Sequence, residues 1–201
     1  MKRNNFLSYS FIPQNTIYSV TNPNSNIIKI YTKTEHTSVD NYSSEYGIPF
    51  ECVEFIRRFF ATHCNYTFPS VIDAEDMFYK VNTLTHISNQ HRIITLKTHQ
   101  YPYGDEKNIL GCLKPGSILF WKKANNDNLK YGHVALVISA NECYVRIANQ
   151  NLDPYIKTYN TKELMKAMNN EKSPFLGIKV LPTTLSDFLE PNMNNIEIIQ
   201  K

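Results

Sequence analysis

Three side chains in this sequence are of the types that together hydrolyse amides: Cys52, His133 and Asn149. Cys52 opens the run Cys52-Val53-Glu54-Phe55-Ile56-Arg57-Arg58-Phe59-Phe60, whose apolar residues recur at helical spacing. A thiol in the first turn of a helix feels the partial positive charge of unpaired backbone N–H groups, which favours the nucleophilic thiolate. In acyl transfer such a thiol needs a proton acceptor beside it, and histidine is the usual one. His133 is the best placed of the six histidines, because Gly132-His133 opens an apolar run that reads as a strand. Asn149 enters through strand pairing. If Ala140, Asn141 and Glu142 form a three-residue loop, Ser139 faces Cys143 and Asn149 falls opposite His133 on one face of the ladder. An asparagine there fixes the imidazole tautomer without taking its proton. A two-residue loop would instead set His133 against Ala148.

The elements that must hold these residues can be read from period and punctuation. Cys52, Phe55, Ile56, Phe59, Phe60 and His63 make one apolar stripe, and Gly47 and Pro49 mark where that helix starts. A second helix is expected from about Ile72 to Val81, with Asp73, Glu75 and Asp76 near its first turn. From His86 to Asn108 the pattern is mixed and polar and reads as a long connection. After Lys114-Pro115-Gly116 come a strand at Ser117 to Trp121, a polar loop, and strands at His133 to Ser139 and Cys143 to Asn149. A short helix at Thr161 to Met168 and a last strand at Pro174 to Leu181 complete the pattern. Helices first and an antiparallel meander after is the α+β class. Residues 1–45, with apolar stretches such as Ile17-Tyr18 and Ile27 to Tyr31, read as an irregular arm of short strands and loops. Residues 182–201 read as a C-terminal tail, loosely held from Glu190 onward. The whole chain, 1–201, reads as one domain.

Composition excludes several functions. The 201 residues are 42% hydrophobic and 19% charged, which is not the signature of a disordered chain. The net charge is +3 with no clustered basic tract, so no nucleic-acid partner is implied. No stretch approaches ~18 apolar residues, so no membrane span is expected. The first ten residues lack the apolar run of a secretory signal. The expected compartment is therefore the cytoplasm, with reduced cysteines, leaving open non-classical secretion or virion packaging. The four cysteines form no CxxC pair, and the neighbours His63 and Cys64 would point about 100° apart on a helix. No metal or organic cofactor is expected. Cys64, Cys112 and Cys143 read as small apolar residues, and His36, His86, His91 and His99 as loop residues.

The run Tyr46-Gly47-Ile48-Pro49-Phe50-Glu51-Cys52-Val53-Glu54-Phe55-Ile56-Arg57-Arg58-Phe59 resembles the nucleophile motif of the glutathionylspermidine amidase family. That family belongs to the CHAP group, the cysteine, histidine-dependent amidohydrolases and peptidases. Leu113-Lys114-Pro115-Gly116 through Phe120-Trp121 is similar to its strand before the catalytic histidine. Tyr131-Gly132-His133-Val134-Ala135-Leu136-Val137-Ile138 is similar to its histidine motif, and Val145 to Asn151 to its third-residue segment. Leu7-Ser8-Tyr9 and Phe175-Leu176-Gly177 have counterparts near the domain ends, so the resemblance spans about residues 7–181.

The resemblance implies a papain-like CHAP fold, with N-terminal helices packed on an antiparallel sheet. It implies Cys52 as nucleophile, His133 as general base, and Asn149 where the amidase has glutamate and other CHAP enzymes have asparagine. Glu51 stands where the amidase has a glutamine that helps form the oxyanion hole; a carboxylate there repels the developing charge unless it turns away. Arg57 matches an arginine of the family's substrate cleft and also reads as an ordinary helix charge paired to an acid. Gln150 and Asn151 read as hydrogen-bonding groups at the cleft edge, or equally as strand-end caps. Tyr131, with Trp121, flanks the loop before His133 as pocket lining or as core. The implied activity is cleavage of a γ-glutamyl peptide–polyamine amide such as glutathionylspermidine. The alternatives are a peptidoglycan amidase or endopeptidase, and a binding module that has lost turnover through Glu51 and Asn149. The partner is accordingly a small peptide–polyamine conjugate or a peptidoglycan peptide.

Overall fold

A computed structural model of the chain describes residues 27–32, 44–102, 106–124, 130–189, 193 and 195–200. The chain order is β1 (Ile27–Thr32), α1 (Cys52–Phe59), β2 (Tyr66–Thr67), α2 (Ala74–Lys80), β3 (Thr83–His86), β4 (Ile93–Thr95), β5 (Lys97–Gln100) and α3 (Glu106–Gly111). It continues with β6 (Ile118–Trp121), β7 (His133–Ala140), β8 (Tyr144–Ala148), β9 (Ile156–Asn160), α4 (Thr161–Met168), β10 (Phe175–Val180), α5 (Thr183–Leu189) and β11 (Asn195–Gln200).

The two most apolar runs, β6 and the first part of β7, are buried on both faces because they are the middle strands of a six-stranded antiparallel sheet. Its strand order is β5-β10-β6-β7-β8-β9. Side chains alternate between the faces of a strand. Val134, Leu136 and Ile138 therefore join Phe55, Ile56, Phe59 and Phe78 in one hydrophobic cluster, on the side of α1 and α2. Ala135 and Val137 join Leu119, Ile147, Leu164, Met168 and Ile178 in a second, on the side of α4. The helical stripe seen in the sequence is the face α1 presents to the sheet. Burying each of Phe55 and Phe59 contributes roughly 1.5–3 kcal/mol. The fold is thus the α+β arrangement expected, helices against an antiparallel sheet.

The helix stripe runs past α1 into one π-helical turn, Phe60–Cys64, closed by Asn65 in the left-handed conformation. Asp73 caps α2 by accepting from the Asp76 N–H at 2.9 Å. Asn160 and Glu163 form a reciprocal capping box on α4, whose bounds match the sequence expectation.

Two sequence expectations are corrected. The supposed connection from His86 to Asn108 contains β4, β5 and α3, and β3 precedes it. Its strands β4 and β5 are edge strands, where exposed residues such as Thr95 and Lys97 erase the apolar alternation. The tail expected to be loose carries α5 and then β11, which pairs in parallel with β1 from Ile27↔Asn195 to Thr32↔Gln200. Within the arm, β1 is one of the short strands expected there, and its Ile28 and Ile30 are buried. Ile17-Tyr18, Leu7-Ser8-Tyr9 and His36 lie outside the described residues. All four cysteines are unpaired thiols.

Candidate active site

Cys52 is the first residue of α1, and Glu51 before it is the N-cap, in extended conformation and without a side-chain cap hydrogen bond. The approach to the helix is sharply bent. Phe50 has φ of 67° and is almost fully buried, so packing of its ring holds a backbone conformation that bulky residues rarely adopt. The Cys52 thiol is buried and faces the backbone N–H groups of Val134, Val53 and Cys52 itself. The first of these belongs to the residue after His133, so the start of β7 and the start of α1 meet at the sulfur.

His133 opens β7 opposite Trp121 of β6 and is 3% exposed. Its Nε2 lies 3.0 Å from Asn149 Oδ1. Asn149 Nδ2 donates to the Pro154 carbonyl at 3.0 Å, which turns the amide oxygen toward the imidazole. The proton therefore sits on His133 Nε2, leaving Nδ1 as the basic nitrogen. The indole of Trp121 lies against the ring, with centroids 5.8 Å apart.

The contact arises by a different route from the one expected. The β7–β8 turn has two residues between Asn141 and Tyr144, whose backbones are hydrogen-bonded at 2.9 Å, and Ala140 pairs with Val145. An irregularity between Val137 and Ser139 then shifts the ladder, so that Leu136 faces Ala148. Asn149 is not in the ladder opposite His133. Past its last pair with β7, the chain continues the β8–β9 pairing, and the Asn149 N–H bonds to the Tyr155 carbonyl at 2.7 Å. The side-chain amide reaches His133 from there.

Residues 41–151 match the family model of the CHAP domain. The chain belongs to the CHAP family. CHAP domains are typically cysteine, histidine-dependent amidases or peptidases, and a buried cysteine at a helix start and a buried histidine are groups such chemistry uses. Among solved structures, the one titled "The crystal structure of Ly7917" is similar at 12% identity and a TM-score of 0.38, over 67% of this chain and 54% of that one. The CHAP chain thus spans about half the length of that structure. No curated protein matches the sequence.

Burial dominates the electrostatics of this CHAP site. It pushes the Cys52 thiol up to about 12; the Glu51 charge raises it too, and the three backbone N–H groups only partly oppose them. Burial likewise lowers His133 to about 4, with the Asn149 hydrogen bond working the other way. The expectation of a thiolate favoured by the helix start is therefore reversed. Three N–H groups do not offset the loss of water around a fully enclosed sulfur. Burial thus favours the neutral form of both the thiol and the imidazole.

The remaining candidates divide. Glu51 turns away from the helix and accepts from exposed Asn151 Nδ2 at 2.7 Å. Asn151, at φ of 65°, and half-buried Glu51 form one lip beside Cys52. Tyr131 is 62% exposed and lies under the Lys130 ammonium, so it is surface and not core. Trp121, by contrast, is buried against His133. Arg57 donates to Thr67 Oγ1 at 3.3 Å and to the Tyr46 carbonyl at 3.5 Å, holding it along the surface of β2. Gln150 is 0% exposed and lies inside the protein, neither at the cleft edge nor as a strand-end cap.

Sequence reasoning missed the buried ionic group beneath the site. Glu54 and Arg58 form an ion pair at 2.8 Å, both side chains nearly inaccessible. Their i, i+4 spacing is a helix-surface signal, and nothing in the sequence marks this pair as internal. Among the described residues no cluster of three or more His, Cys, Asp or Glu could hold a metal. No described helix is long and apolar enough to cross a membrane.

Proposed function

We propose that this CHAP chain is a cysteine-dependent amide hydrolase in which Cys52 is the nucleophile, His133 the general base and acid, and Asn149 the orienting group. The observation that carries this reading is the 3.0 Å contact of His133 Nε2 with Asn149 Oδ1, with the helix-start thiol of Cys52 against the N–H of Val134, the residue after His133. With both groups neutral at rest, the thiol proton passes to Nδ1 of His133 as sulfur attacks the amide carbon. The tetrahedral oxyanion forms where the α1 start offers backbone N–H, that of Cys52 first. The imidazolium then gives its proton to the departing amine, and a water activated by His133 hydrolyses the thioester.

The substrate in this reading is an amide joining a γ-glutamyl peptide to a polyamine, as the motif resemblance implies. The Glu51 carboxylate next to the nucleophile suits a leaving group that carries ammonium charge. A thiol that must stay unpaired suits a reducing compartment such as the cytoplasm. The test is hydrolysis of glutathionylspermidine by the protein and by Cys52→Ala, with free spermidine as readout and purified sacculi run in parallel. Spermidine release that vanishes in Cys52→Ala is expected. Fragments from sacculi without spermidine would retain the cysteine chemistry and replace the substrate with peptidoglycan peptides. Binding of either substrate without turnover would overturn the hydrolase and leave a binding module.

A further inference from the structure

The Gln150 side chain has two donors and one oxygen with two acceptor sites, and all four are used inside the protein. Nε2 donates to the Glu51 carbonyl at 3.0 Å and to Glu54 Oε2 at 2.8 Å. Oε1 accepts from the Tyr31 N–H and from Arg58 Nη2, both at 3.0 Å. Arg58 in turn donates to the Lys29 carbonyl and stacks its guanidinium over Tyr31, 4.5 Å from the ring centre. One side chain therefore joins β1, the first two turns of α1 and the segment after β8.

Its place in the chain gives that junction a purpose. Gln150 directly follows Asn149, which holds His133, and it grips the carbonyl of Glu51, which directly precedes Cys52. The apolar packing of α1 on β7 brings the two halves of the site together, but apolar contact is non-directional and tolerates sliding. Asn149 lies one residue past the last β7–β8 pair, Leu136↔Ala148, with its N–H on the Tyr155 carbonyl, and none of these sheet bonds sets its height against α1. A fully satisfied, desolvated amide does so, because each of its bonds is directional and costly to leave unmade.

We propose that Gln150 is a positioning residue, which fixes the distance between the Cys52 end of α1 and the Asn149 that orients His133. This rests on the catalytic reading of Cys52, His133 and Asn149, and on no contact between Gln150 and substrate.

The test compares Gln150→Met, of similar length without hydrogen bonds, with Leu164→Ala, which opens the other hydrophobic cluster beside α4. The first readout needs no substrate: the downfield proton resonance of His133 Nε2–H, held by Asn149. Gln150→Met should lose or broaden that resonance, and Leu164→Ala should keep it at a comparable fall in Tm. The second readout is hydrolysis, in which Gln150→Met should lower kcat roughly 100-fold with KM little changed, the effect of a small misplacement of reacting groups. Should Gln150→Met fail to fold, Gln150→Asn, too short to reach both Glu51 and Glu54, is judged by the same resonance. A folded Gln150 variant that keeps the resonance and kcat overturns the proposal, as does loss of the resonance in Leu164→Ala. Hydrolysis that survives Cys52→Ala would overturn the catalytic reading instead, and an unreactive wild type leaves the resonance to decide Gln150 alone.

Discussion

Cys52 stands under two opposed influences, and their balance decides how it reacts. Backbone N–H groups at the helix start favour its thiolate, while enclosure and the Glu51 charge favour the thiol, and the thiol wins. Only the thiolate is alkylated at a useful rate. At pH 8 iodoacetamide should therefore modify exposed Cys143 well before Cys52, as counted by mass spectrometry of the labelled peptides. Glu51→Gln removes one of the two opposing influences and supplies an amide able to donate to an oxyanion. Alkylation of Cys52 should rise roughly threefold, as expected for one partly solvated charge lost nearby. An unchanged or slower rate would show that the Glu51 charge does not reach the sulfur. The residues at 52, 133 and 149 were legible because cysteine, histidine and asparagine are the types that thiol acyl-transfer chemistry uses. Gln150 and Arg58 were not, since an amide or an ionic pair looks the same in sequence whether buried or exposed.

At the scale of elements, the sequence was informative where one face or both are buried and uninformative at edges. The stripe of α1, the apolar runs of β6 and β7 and the capping residues of α4 all follow from simple periodicities. The β7–β8 register did not, because a two-residue turn and an irregularity at Ile138 shift the ladder in ways that alternation does not reveal. The entry of His133 into β7 depends on Gly132, whose φ is 73° and whose missing Cβ would lie 2.8 Å from the Trp121 carbonyl oxygen. Gly132→Ala should destabilise by about 1–3 kcal/mol, the cost of a strained backbone, and lower activity by moving His133. Gly111, at the end of α3, has nothing within 4 Å of where a Cβ would sit and has no positive φ. Gly111→Ala should be neutral or stabilising by up to ~1 kcal/mol. Chemical denaturation of the two variants measures the contrast; equal effects would mean that Gly132 is not strained.

For the molecule as a whole, burial of titratable groups predicts an uneven response to pH. His63, His99 and His133 are all lowered by burial, so the unfolded chain binds protons more readily than the folded one below their ordinary value of 6.5. Stability is therefore complete above pH 6.5 and falls as pH drops, and His133, lowered to about 4, keeps contributing to that loss across the whole interval. A single such group costs up to about 1.4 kcal/mol per pH unit, or roughly 2 kcal/mol by pH 5. The alkaline side is flatter because opposite terms meet there. Cys52 and Cys64, both raised to about 12, lose stability as pH climbs above 9, where the unfolded thiols ionise first. Lys179, buried over Phe78 with Asn82 and Thr98 as acceptors and lowered to about 8, regains stability between pH 8 and 10.5. Tm should accordingly fall steeply between pH 6.5 and 5 and change little between 7 and 9. In His133→Gln the acid fall should be shallower by about 2 kcal/mol at pH 5, while the two proteins keep a constant difference above pH 7. Parallel curves from pH 7.5 to 5 would mean that His133 is solvated in the folded protein, and with that the neutral resting pair would fall.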